Sequence, residues 1–142
     1  MLFPMNSFPI TGGCLCGAIR YEGHSDVWNV THCHCIDCRR ASAAAFVTWA
    51  SFKTSQFHFI SGEPEEIAWA GRLRGFCPKC GTPLTFKSSA DADEIDVTVC
   101  SFDHPELVTP ADHTWMEDRI PWISLADKLP THLKVRPDHT SE

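Results

Sequence analysis

The chain has 142 residues, 43% of them hydrophobic and 21% charged, which fits a single domain with its own core and excludes a disordered or collagen-like chain. A formal net charge of −6, from 12 basic against 18 acidic residues, disfavours general binding to nucleic acid or anionic membranes, which needs a basic face, and leaves only a local basic spot at Arg39-Arg40; no apolar run is long enough to span a bilayer. Residues 1–9 have neither a basic start nor a continuous apolar stretch, so no signal peptide is expected and the cytoplasm is the expected location.

From Thr11 onward the apolar residues recur mostly at every second position, the period of short half-buried strands. In chain order the alternation runs through Ile19 and Tyr21, Val47 and Trp49, Phe57 and Phe59, Ile67 and Trp69, Leu84 and Phe86, and Ile95, Val97 and Val99. The last run is the clearest and places Cys100 on the side opposite its apolar residues. Turn signals at Gly12-Gly13, Gly23, Ser61-Gly62-Glu63-Pro64, Gly71, Gly81-Thr82-Pro83 and residues 88–93 separate the runs. The pattern predicts an all-β, mainly β domain over residues 11–130, with residues 1–10 and 131–142 as tails. Two short helices are expected, from Asp37 to about Ala44 and from Ser124 to Leu129, the second stopped by Pro130.

Seven of the eight cysteines fall in tight groups, Cys14-Leu15-Cys16, Cys33-His34-Cys35-Ile36-Asp37-Cys38 and Cys77-Pro78-Lys79-Cys80. Thiols this close rarely meet disulfide geometry, whereas such spacing suits metal ligation in a reducing compartment. The pairs Cys14/Cys16 and Cys77/Cys80 each abut a glycine, which lets a knuckle turn its amides toward thiolates, and together they make a closed tetrahedral set suited to a structural zinc. Cys33, Cys35 and Cys38 remain as a trio, and three protein ligands leave zinc one open position. The alternative is a closed shell completed by His32, His34 or a distant histidine. Imidazoles so near can equally support the ligands or relay protons. Seven thiolates around two divalent ions would make the chain more acidic still. Cys100 is expected to be a small packing residue.

These residues resemble the glutathione-dependent formaldehyde-activating enzyme family, which includes centromere protein V. The likeness rests on Gly13-Cys14-Leu15-Cys16-Gly17, on Cys33-His34-Cys35-Ile36-Asp37-Cys38-Arg39-Arg40, on Phe76-Cys77-Pro78-Lys79-Cys80-Gly81, and on His113-Thr114-Trp115 and Ile120-Pro121-Trp122. It implies a β-tent fold of small antiparallel sheets, found also in zinc proteins that assist Rab GTPases. It assigns two zinc ions, a structural one to Cys14, Cys16, Cys77 and Cys80 and a catalytic one to Cys33, Cys35 and Cys38. The implied activity is that of a carbon–sulfur lyase, joining glutathione and formaldehyde or cleaving S-hydroxymethylglutathione. On that reading the partners are a glutathione-like thiol and an aldehyde, with no nucleic acid and no membrane. His34 is then a candidate proton donor, Arg39 and Arg40 are candidate anchors for a substrate carboxylate, and Trp49 lines the pocket or packs the core. The sequence departs from the family pattern at Ala43, often glycine in the family, and at Cys100. The competing reading is a zinc-stabilised protein-binding module with two structural zincs.

Overall fold

The computed structural model describes residues 9–137. Ten strands follow in chain order: β1 (Ile10–Gly13), β2 (Arg20–Gly23), β3 (Trp28–Cys33), β4 (Val47–Lys53), β5 (Phe57–Ser61), β6 (Glu65–Trp69), β7 (Arg72–Phe76), β8 (Pro83–Lys87), β9 (Glu94–Thr98) and β10 (Asp112–Thr114). One α-helix, α1 (Ile36–Ser42), joins β3 to β4. The strands form two sheets, a small one ordered β1-β2-β5 and a larger one ordered β10-β3-β4-β9-β8-β7-β6. All pairings are antiparallel except β10 with β3. The expected mainly β architecture of small sheets is therefore the observed one, and among the described residues no helix is long and apolar enough to cross a membrane.

The period-two apolar residues supply the core. Tyr21, Ile19, Phe52, Leu84 and Val97 are fully buried in one cluster that also takes in Cys14 and Cys77. Gly23 leaves room for the Phe52 ring, whose edge would collide with any Cβ there. A second, smaller cluster holds Cys33, Cys38, Val47 and Trp49, with Cys35, Phe86 and Trp115 packed against it. Each cysteine group is thus rooted in its own core.

Several expectations are corrected. No helix forms over residues 124–129. Asp127 turns its Oδ1 to accept from the Leu129 amide at 3.0 Å, and Lys128 is left-handed with φ of 61°, so a local side-chain turn has replaced the helical ladder. The strand of Ile95 and Val97 ends at Thr98, and residues 99–101 form a 3-10 turn that leaves Cys100 exposed rather than packed. Ile67 and Trp69 alternate as a strand should, yet every residue of β6 is exposed, because β6 is the edge of the large sheet.

Within the stretch expected as a C-terminal tail, residues 131–136 are bound to the body. Thr131 bridges His113, the Trp115 amide donates to the Lys134 carbonyl at 2.9 Å, and Arg136 pairs with buried Asp112 at 2.8 Å. Eight residues of the expected N-terminal tail and residues 138–142 lie outside the described residues.

Candidate functional site

Cys14 and Cys16 sit in the turn between β1 and β2, and Cys77 and Cys80 in the turn between β7 and β8. The turns are closed alike, by Gly17 N–H to Cys14 O at 3.1 Å and by Gly81 N–H to Cys77 O at 2.8 Å. Gly17 and Gly81 have φ of 81° and 82°, a conformation that suits glycine and strains other residues. Thr82 ties the two turns together, receiving the Leu15 amide at 3.0 Å and meeting Cys80 Sγ at 3.1 Å. The hydrogen bonds of its hydroxyl and its backbone hold the Cys80 thiol down at about 5.

The four sulfurs all lie within 4.8 Å of one another, with Cys14 to Cys16 at 3.6 Å and Cys16 to Cys77 at 3.8 Å. A tetrahedron with zinc–sulfur bonds of about 2.3 Å has edges of about 3.8 Å. The donor set therefore fits a closed metal site.

Cys33, Cys35 and Cys38 gather at the end of β3 and the start of α1. Cys35 is the N-cap of α1, its sulfur accepting the Cys38 amide at 3.2 Å. The three sulfurs also lie within 4.8 Å of one another, and no further Cys, His, Asp or Glu donor among the described residues joins them at that range. Hydrogen bonds from Cys33 and Cys38 hold the Cys35 thiol down at about 3, helped by the nearby charge of Arg74. Its hydrogen bonds with Cys35 and Cys38, then burial, push Cys33 up. Cys38, eased by Cys33 but opposed by Cys35 and by burial, stands at about 12.

The trio opens into a cavity of about 440 Å³. Its floor is one face of the large sheet, taken in order across five strands: Thr31 and Cys33 of β3, Trp49 of β4, Asp96 of β9, Phe86 of β8, and Arg72 and Arg74 of β7. Ile36 and Asp37 of α1 and the turn after β10, with Trp115 and Asp118, form its walls. The Arg74 guanidinium lies 5.0 Å from the Phe86 ring centre, and Phe86 in turn packs beside Trp49, with ring centres 6.1 Å apart. The floor thus combines two cations with aromatic rings.

A family model described as glutathione-dependent formaldehyde-activating enzyme matches residues 9–118. The chain belongs to that family. A crystal structure of a Rhodobacter sphaeroides protein is similar to this chain, with a TM-score of 0.56 and 22% identity over 71% of this chain and 92% of that one, which shows a shared fold. No curated protein matches.

Within this formaldehyde-activating family member, the structure sorts the residues singled out in the sequence. Trp49 lines the cavity; Arg39 and Arg40 do not. They lie in the last turn of α1, where Arg40 is exposed and Arg39 half-buried. The cations at the cavity are Arg72 and Arg74, which the sequence reading passed over. Their signal was the alternation Arg72-Leu73-Arg74, legible as a strand but silent about which face met a cavity.

His34, a candidate proton donor in the sequence, lies elsewhere. It is fully buried away from the cavity lining, its Nε2 2.9 Å from His113 Nδ1. Burial, then the neighbouring His113 and His32, hold its imidazole down at about 4. His32 points to the same side, stacked on His113 with ring centres 4.7 Å apart. Neither histidine completes the cysteine trio.

Proposed function

We propose that the chain is a zinc-dependent carbon–sulfur lyase that makes or cleaves a thiol–aldehyde adduct such as S-hydroxymethylglutathione. The observation that carries this reading is a three-cysteine donor set opening into a cavity lined by two arginines, with no fourth Cys, His, Asp or Glu donor among the described residues at ligand range. Cys33, Cys35 and Cys38 would hold the catalytic zinc, and Cys14, Cys16, Cys77 and Cys80 a structural one. Zinc bound by three thiolates supplies an open position at which a substrate sulfur is favoured as thiolate.

The rest falls to the chain's own residues. Arg72 and Arg74 bind substrate carboxylates, for which a guanidinium offers a two-point match. Trp49, Phe86 and Trp115 flank the reacting carbon and exclude water. In the cleavage direction the carbon–sulfur bond breaks, its electron pair stays on sulfur, and the hydroxyl proton of the adduct passes to a base while the aldehyde forms. With His34 turned away, a carboxylate oxygen of Asp37 or Asp118 at the cavity wall is the group placed to take it.

The test is metal content and X-ray absorption on protein purified without added metal, before and after glutathione, beside an assay of adduct cleavage. Two zincs per chain, one with three sulfurs that becomes four with glutathione, together with turnover, are expected. Two closed shells indifferent to glutathione and no turnover would move the reading to a zinc-stabilised protein-binding module.

A further inference from the structure

On the face of β3 opposite the cysteine trio lies a third set of donors, independent of the lyase reading. Alternation along the strand sends Thr31 and Cys33 toward the cavity and His32 the other way. There β10 pairs with β3 in parallel, placing His113 directly beside His32, and the chain returns to bring Asp127 against His113, Oδ2 to Nε2 at 2.8 Å. Donor atoms of His32, His113 and Asp127 all lie within 4.8 Å of one another. We propose that these three residues form a further metal site, for a divalent transition ion that favours imidazole and carboxylate, such as nickel or zinc.

Three features support a site rather than a chance meeting. First, each donor is held from behind, as metal ligands usually are. His32 Nδ1 bonds Thr48 Oγ1 at 2.7 Å, His113 Nδ1 bonds His34 Nε2 at 2.9 Å, and Asp127 Oδ1 accepts the Leu129 amide at 3.0 Å. That leaves Nε2 of both rings and Oδ2 of the carboxylate as the donors on offer. Second, there is an entry path, because His113 is buried while His32 is half-buried and Asp127 exposed. Third, two nitrogens and one oxygen make a donor set unlike the two thiolate clusters, so an ion can choose this site by ligand type. On binding, the ion takes the place of the proton between His113 Nε2 and Asp127; the ring changes tautomer and stays neutral, its one proton now on Nδ1 and donated to His34 Nε2, and water fills the remaining positions.

The experiment uses the untagged chain with both thiolate clusters filled with zinc, titrated with Ni²⁺ by calorimetry. Nickel and zinc per chain are then counted after desalting, and the nickel shell is read by X-ray absorption. One nickel per chain in a nitrogen and oxygen shell, with zinc unchanged, is expected. Asp127→Asn keeps an acceptor for Leu129 at the surface and should weaken nickel binding by about 100-fold or more, since it removes a direct ligand. Thr48→Val, which only unseats His32, should cost about 10–100-fold. Absence of a nickel equivalent, a sulfur shell around it, or undiminished binding by Asp127→Asn would each overturn the proposal. The Asp127–His113–His34 chain would then be no more than a clasp on the C-terminal segment.

Discussion

The four-cysteine cluster is assembled from two hairpin turns, with Cys16 and Cys77 61 positions apart, whereas Cys33, Cys35 and Cys38 come from one strand end and the cap of one short helix. The first draws its donors from distant segments, is rooted in the large core through Cys14 and Cys77, and is complete in itself. The second is local, has three sulfurs and faces a cavity. A metal in the first closes a long loop and contributes to folding; a metal in the second closes nothing the strand and helix have not already joined. On the proposed reading, the first metal site holds the protein together and the second is held by it.

The largest effect expected from that contrast is at Cys77. Cys77→Ser should abolish one zinc and the cooperative unfolding transition together, because apparent binding energies of about 10 kcal/mol or more are folding energy in a structural site; metal analysis and circular dichroism on the same sample check it. Cys35→Ser should instead remove one metal and lower adduct cleavage by at least about 100-fold on the scale of lost active-site groups, with the melting transition retained. If both variants unfold alike, the division of labour is wrong.

Arg74→Gln sharpens the cavity side. Losing a charged hydrogen bond to substrate should raise KM about 10–100-fold, from about 1.5–3 kcal/mol, whereas Arg40→Gln, outside the cavity, should leave KM near its original value. Steady-state kinetics of the two variants side by side decide between the arginines seen in the structure and those read from the sequence.

A smaller effect is expected at Ala43, which ends α1 in the left-handed conformation with φ of 50°. Ala43→Gly should stabilise the fold by about 1 kcal/mol, a rise of about 2–4 °C in Tm. The glycine common there in the family thus has a conformational reason.

The smallest effect concerns Asp103, whose carboxyl is held down at about 2 by Arg20 and then by Thr11. Because the folded value lies below the unfolded one, this pair stabilises the fold above the ordinary carboxylate pKa and loses its contribution as pH falls toward 2. It is partly exposed, so the contribution is below about 1 kcal/mol. Asp103→Asn should flatten the acid limb of the stability curve between about pH 4 and 2 by that amount.

The sequence by itself determined what depends on near neighbours along the chain. Alternation gave the strands at Tyr21, Trp49, Phe59 and Val97, and the cysteine spacing gave the two donor groups, since ligand spacing and strand period are local properties. Asp127 shows the limit: its side chain bonds both its local turn and a distant histidine, and so defeated a helix that local pattern favoured. Only the tertiary structure decided which arginines meet the cavity, which way His34 points, and that His32, His113 and Asp127 converge. A strand's pattern says that its faces differ, but what each face meets is set by strand order, and β7 reaches the cavity of β3 only through β4, β9 and β8. Likewise β10 joins β3 from about eighty residues away, in a parallel pairing that no local turn announces.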